Sequence, residues 1–173
     1  MLYWRTDLMP APPDSIEALA RTSSELVAAG RVPFGLVWQG ARYEGLITTF
    51  VEYLGAFAGA ILDEHGQVVV DSEAAIRALT FMRDSIHAAG SVPPAVLTWQ
   101  EEQTRFAFQN GQAALMRNWP YAYALLVAGD SQVAGRFAVA PLPGGPGGAP
   151  AAALGGATSR STPTATSRTT RID

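Results

Sequence analysis

The chain has 173 residues, 48% of them apolar and 16% charged, with a net charge of −3 and a sequence pI of about 5.3. That composition describes one ordered, apolar-rich core and excludes a disordered or fibrous chain. The basic residues are all arginine and lie scattered, so no basic stripe exists to hold a phosphate backbone and nucleic acid is not an expected partner. The absence of cysteine removes disulfides, thiolate metal sites and a cysteine nucleophile together.

Residues 2–4 read as the end of a strand. A helix follows Pro12-Pro13: Asp14 and Glu17 have capping-box spacing, Ile16, Leu19, Leu26 and Val27 make one apolar face, and Gly30 is the stop. Residues 32–38 read as a short buried strand. Leu46, Ile47, Phe50, Val51 and Leu54 give helical periodicity to residues 42–57. Residues 60–70 suggest a hairpin turning at Asp63-Glu64-His65-Gly66. Asp71 is the expected cap of the next helix, with Ile76, Leu79, Met82 and Ile86 on one side until Gly90. Thr98 and Glu101 form a second capping-box spacing, opening a helix that carries Phe106 and ends at Gly111. Ala28-Ala29-Gly30-Arg31-Val32-Pro33 and Ala88-Ala89-Gly90-Ser91-Val92-Pro93 look alike. Their flanks do not repeat, so they are two uses of one helix stop.

A short apolar strand at 113–116 then turns at Asn118-Trp119-Pro120 into a segment carrying Tyr121 and Tyr123. Pro120 disfavours a helical Trp119 and suits the first position of a new helix, continued over 122–128. Trp119 and Tyr121 therefore belong at a strand-to-helix corner, where an α/β sheet offers its ligand crevice. Their rings can stack on the C–H faces of a pyranose while N–H and O–H groups meet its hydroxyl rim. The alternative is that one or both fill the core beneath the corner.

A second cluster, Trp38-Gln39-Gly40-Ala41-Arg42-Tyr43-Glu44, leaves the end of a strand and enters a helix. There Gln39 can donate to and accept from hydroxyls, Glu44 can accept two, and Arg42 can donate. Alternatively, Arg42 and Glu44 are first-turn residues of a surface helix, with Glu44 complementing its dipole. Trp4, Trp99 and the phenylalanines read as packing residues. Arg117 either reaches the crevice or holds a carboxylate. His65 and His87 do not suggest a metal pair, and Glu101 and Glu102 point in different directions on a helix and form no acid/base dyad. No phosphate-binding glycine loop, Gly-x-Ser-x-Gly elbow or His-Glu-x-x-His is present, and no cofactor is expected. The longest apolar stretches, such as 53–62, are too short to span a bilayer.

Residues 137–142 read as a final strand and 141–150 as a Gly/Pro-rich loop. Residues 157–173 hold almost nothing large and apolar, and cannot offset their ordering entropy by burial.

Phe108-x-x-Gly111-x-Ala113-Ala114-Leu115 followed by Asn118-Trp119-Pro120-Tyr121-Ala122 resembles the extracellular solute-binding proteins of bacterial sugar importers, the trehalose/maltose-binding branch above all. Leu2-Tyr3-Trp4-Arg5-Thr6-Asp7-Leu8, the Trp38–Leu46 segment and Leu154-Gly155-Gly156 agree, in the family's order. The resemblance implies a type II periplasmic-binding-protein-like α/β fold, here mostly a C-terminal lobe, helix-rich around a short sheet. It implies residues 1–143 as a partial lobe with hinge-proximal strands, 144–156 as a Gly/Pro-rich loop ending in the Leu-Gly-Gly remnant, and 157–173 as a tail. That tail is either natively disordered or out of frame. The family's tryptophan after Leu-Gly-Gly is replaced by Ala157 and its next strand is lost, which favours a frame change.

The family function implied is the substrate-binding component, here a fragment, of an ATP-driven importer, taking a mono- or disaccharide between two lobes and presenting it to membrane permease subunits. Implied ligand contacts are Trp119, Tyr121, Gln39, Tyr43, Glu44, Arg42 and Gly156, the family's stacking aromatic matching Tyr121. An extracytoplasmic location is implied, lipoprotein-anchored in the full-length protein; no signal peptide is visible, so the chain is expected to begin partway into its parent. No catalysis is expected, and sugar binding by the chain alone is expected to be weak or absent. The competing readings are a structural or interaction remnant and, less well supported, a glycoside hydrolase using Glu44.

Overall fold

A computed structural model describes residues 1–154; the expectations for Gly156 and for residues 157–173 fall outside them. Within β1 (Leu2–Arg5), Leu2 and Trp4 join one buried cluster and Tyr3 the other, as the two-residue alternation of a strand requires. The sheet therefore has apolar faces on both sides, and helices cover both.

Four strands form one mixed sheet in the order β2-β3-β1-β4. β2 (Phe34–Val37) and β3 (Ala113–Arg117) run parallel, while β1 is antiparallel to both β3 and β4 (Phe137–Ala140). On one face α1 (Ile16–Ala28), α2 (Glu44–Ala56) and α3 (Glu73–His87) contribute Leu19, Tyr53, Leu54 and Met82 to the larger cluster with Trp4, Leu36 and Trp38. On the other, α4 (Glu101–Gln109) and α5 (Ala122–Leu126) supply Phe108 and Leu126 to a cluster with Tyr3, Val37 and Met116. The structure is a helix-rich α/β layer arrangement around a short sheet, as the sequence predicts.

Several local expectations shift. Ser15 and Ser72, one residue beyond Asp14 and Asp71, cap α1 and α3 by accepting from Ala18 N and Ala75 N. Both serines hold the extended backbone of a cap residue, so the neighbouring aspartates are left to solvent. The capping box of α4 is Gln100 with Gln103; Thr98 lies in a 3₁₀ turn (Pro94–Thr98) and donates to Ala95 O. Helix α2 starts at Glu44, two residues later than expected, and Pro120 lies in a turn before α5 instead of at its first position. Ile76 and Leu79 are exposed; the small Ala74, Ala75 and Ala78 lie inward because α3 packs closely on α2. The hairpin reduces to one bridge, Leu62 with Val68, around a turn in which Asp63 Oδ1 accepts from His65 N and Gln67 N.

Candidate functional site

The parallel pair β2–β3 ends at Val37 and Arg117, and from there the chain runs to α2 on one face of the sheet and to the corner before α5 on the other. Between those exits lies an open cleft of about 380 Å³, lined by Tyr43, Glu44, Gly45, Thr48, Glu101, Trp119, Pro120 and Tyr121. Its place at the carboxyl ends of adjacent parallel strands is where α/β sheets leave a crevice.

The corner after β3 is fixed by its backbone. Asn118 accepts from Trp119 N at 2.8 Å and donates to Glu101 O at 3.2 Å, tying the corner to the start of α4. The Tyr3 hydroxyl donates to Trp119 O at 2.8 Å. Trp119 is half-buried and Tyr121 is 40% exposed, so neither ring is sealed under the corner.

Beneath the indole lies a buried polar network. Arg117 donates to both oxygens of Glu52 at 2.6 and 2.8 Å and to Gln39 Oε1 at 2.7 Å; Gln39 Nε2 donates back to Arg117 O at 3.2 Å. The guanidinium lies 4.3 Å from the Trp119 ring centroid, covering one face of the indole with a cation. Glu52 Oε1 also accepts from Ala153 N at 3.2 Å. Arg117 thus holds a carboxylate, the second of the two roles open to it.

The cleft's rim is built from α4 and α2. Trp119 Nε1 donates to Glu101 Oε1 at 3.4 Å and the Tyr121 hydroxyl donates to Glu102 Oε1 at 2.7 Å. Arg105 grips Glu102 at 2.5 Å and, with the Tyr121 bond, holds its carboxyl below the usual range. Burial, then the Glu102 bond, pushes the Tyr121 phenol up. Tyr43 is raised by burial first and by the neighbouring Glu101 second; its buried hydroxyl has no hydrogen-bond partner among the described residues. The Tyr43 phenol lies directly over Gly45, in the space a Cβ there would occupy.

Trp119, Tyr121, Tyr43 and Glu44 are therefore brought together. Gln39 and Arg42 do not line the cleft: Gln39 is 0% exposed with its amide spent on Arg117, and Arg42 is exposed outside it. Glu44 is both a first-turn residue of α2 and a cleft residue, so its two readings coexist. Glu52, Thr48 and Glu101 were not singled out for the site. Glu44, Thr48 and Glu52 recur every four residues in a helix whose only charges are the two glutamates, and that spacing was the available signal.

The family profile for bacterial extracellular solute-binding proteins matches residues 1–167. The chain belongs to that family. It is 42% identical over 166 residues to a probable ABC transporter-binding protein of Deinococcus radiodurans, covering 90% of this chain and 39% of that one. Among solved structures it is similar to maltose-bound MalE3 of T. maritima, with 46% identity, a TM-score of 0.84, and coverage of 87% of this chain and 40% of that one. A solute-binding protein of Agrobacterium radiobacter K84 in complex with ribitol shares the fold at 22% identity and a TM-score of 0.76, covering 86% of this chain and 38% of that one. The fold is that of the type II periplasmic solute-binding proteins, and the chain spans about two fifths of the length of these relatives.

Proposed function

We propose that the chain is the greater part of one lobe of the substrate-binding component of an ATP-driven carbohydrate importer, and that its cleft receives a mono- or disaccharide. The carrying observation is the cleft itself: an open concavity in which Trp119 and Tyr121 meet Glu44, Glu101 and Thr48. An aromatic wall beside carboxylate and hydroxyl groups matches the C–H face and hydroxyl rim of a pyranose. A maltose-bound relative at 46% identity points the same way and makes a glucoside the first ligand to try.

On this reading residues 1–143 form the lobe with its hinge-proximal strands, and 144–156 form a loop ending in the Leu-Gly-Gly remnant. Tyr43 and Glu44 bind with the corner aromatics, while Gln39 acts one step behind them through Arg117. A sugar resting on this lobe gains its remaining hydrogen bonds only when a second lobe closes over it, so it shifts an open–closed equilibrium by its differential affinity. The closed form is what permease subunits recognise, outside the cytoplasm, with the whole protein held by a lipid anchor. No reaction is catalysed; ATP hydrolysis belongs to a partner.

Four tryptophans give four indole N–H resonances, and Trp119→Phe assigns one of them. Titrating the chain with maltose, trehalose and methyl glucosides should move the Trp119 signal saturably in the millimolar range, leaving buried Trp4 and Trp38 in place. A Trp119 signal that stays still at every concentration overturns the sugar cleft. Submicromolar binding overturns the single-walled lobe.

A further inference from the structure

Hydrogen-bond donors and acceptors in the cleft are unequal. Thr48 donates its hydroxyl to Gly45 O at 3.0 Å, Tyr121 to Glu102 at 2.7 Å, and Trp119 its indole N–H to Glu101 at 3.4 Å. Each of these side-chain donors already has a protein acceptor, and among the described side chains of the cleft only the buried Tyr43 hydroxyl lacks one. Acceptors are in surplus: Glu44 and Glu101 both line the cleft and neither is in an ion pair among the described residues.

Among the described residues no cation lines the cleft beside them. Arg117 is fully buried and spent on Glu52 and Gln39, Arg105 is spent on Glu102 and Gln109, and Arg42 lies outside the lining. A ligand entering this space is therefore read by the protons it can give. A hydroxyl gives one, a protonated amine gives three and carries the opposite charge, and a carboxylate or phosphate ester gives none and is repelled.

From this we infer that the cleft selects carbohydrates by charge, preferring an amine-bearing sugar to its neutral counterpart and refusing an anionic one, with Glu44 and Glu101 as the specificity residues. The inference rests on the sugar-cleft reading above and goes beyond it in naming the ligand class.

The test is a series on one ring, titrated into the 173-residue chain with the Trp119 indole signal as readout: methyl α-glucoside, its 6-amino-6-deoxy and 2-amino-2-deoxy analogues, and the glucuronide. At low salt and neutral pH at least one amine should bind about threefold tighter than the neutral sugar, and the uronate about threefold weaker, the scale of partly exposed charge pairs. The preference should shrink as salt rises and shrink again in Glu44→Gln, whose side chain holds no folding partner. Equal affinities across the series, a tightest-binding uronate, or a ratio unmoved by Glu44→Gln overturn selection by charge and leave the sugar cleft standing. A Trp119 signal unmoved by every ligand overturns both.

Discussion

Arg117 organises the site without lining it. Its guanidinium is bound at Glu52 and Gln39 and lies over the Trp119 ring, so the indole is propped from below by a group that water cannot reach. Such a pair adds little over a well-packed apolar replacement, but halving it strands a buried charge. Glu52→Gln should therefore cost about 3 kcal/mol in urea unfolding. It should also change the near-ultraviolet circular dichroism of the tryptophans, because the prop under Trp119 loosens. A stability within 1 kcal/mol of the parent, with an unchanged tryptophan spectrum, would remove the network from the account of the site. The aromatic corner was legible because Pro120 and the flanking rings carry local rules. Glu52 was not, because its partner lies 65 residues away and only the folded sheet brings them together.

Elements are joined as tightly as the residues in them. α1 rests on β2 at Gly35, where a Cβ would stand 2.7 Å from Ser23 Cα and closer still to that residue's carbonyl. Both obstacles are backbone and cannot rotate away. Gly35→Ala should cost about 2 kcal/mol, the scale of an overpacked core, and lower the unfolding midpoint in urea without changing the denaturant slope. A neutral substitution would mean that α1 can slide on the sheet. Helix existence was legible from apolar spacing for all three long helices, but their starts were not. Asp14-Ser15 and Asp71-Ser72 each offer two good caps in succession, and only the backbone path into the helix decides between them. Facing was half right in α3: Met82 and Ile86 lie inward as their spacing says, while Ile76 and Leu79 lie outward and the small Ala74, Ala75 and Ala78 face the core in the first half of the helix.

For the molecule as a whole, ligand and stability are linked. A sugar that binds only the folded cleft should stabilise the chain by about 1.4 kcal/mol at ten times its dissociation constant. That raises the unfolding midpoint by about 3–6 °C for a chain of this size. Trp119→Ala should lose the rise, while the general effect of a concentrated non-binding polyol persists in both proteins. A rise of equal size in Trp119→Ala would assign it to solvent exclusion and not to the cleft. The overall α/β character was legible in the alternation of strand and helix signals, yet the strand order was not. Nothing local in Leu2-Tyr3-Trp4 says that this segment belongs between β3 and β4.

That central place for β1 governs how the chain can be made. The Tyr3 hydroxyl waits for Trp119, 116 residues later, and β1 pairs with β4 only after that. On a translating ribosome β1 emerges long before either neighbour exists, so its pairing with β3 and then with β4 closes late, by a long-range search. Until then an apolar segment with both edges bare is available to the wrong partner, and whatever keeps it occupied during synthesis decides the yield of folded protein.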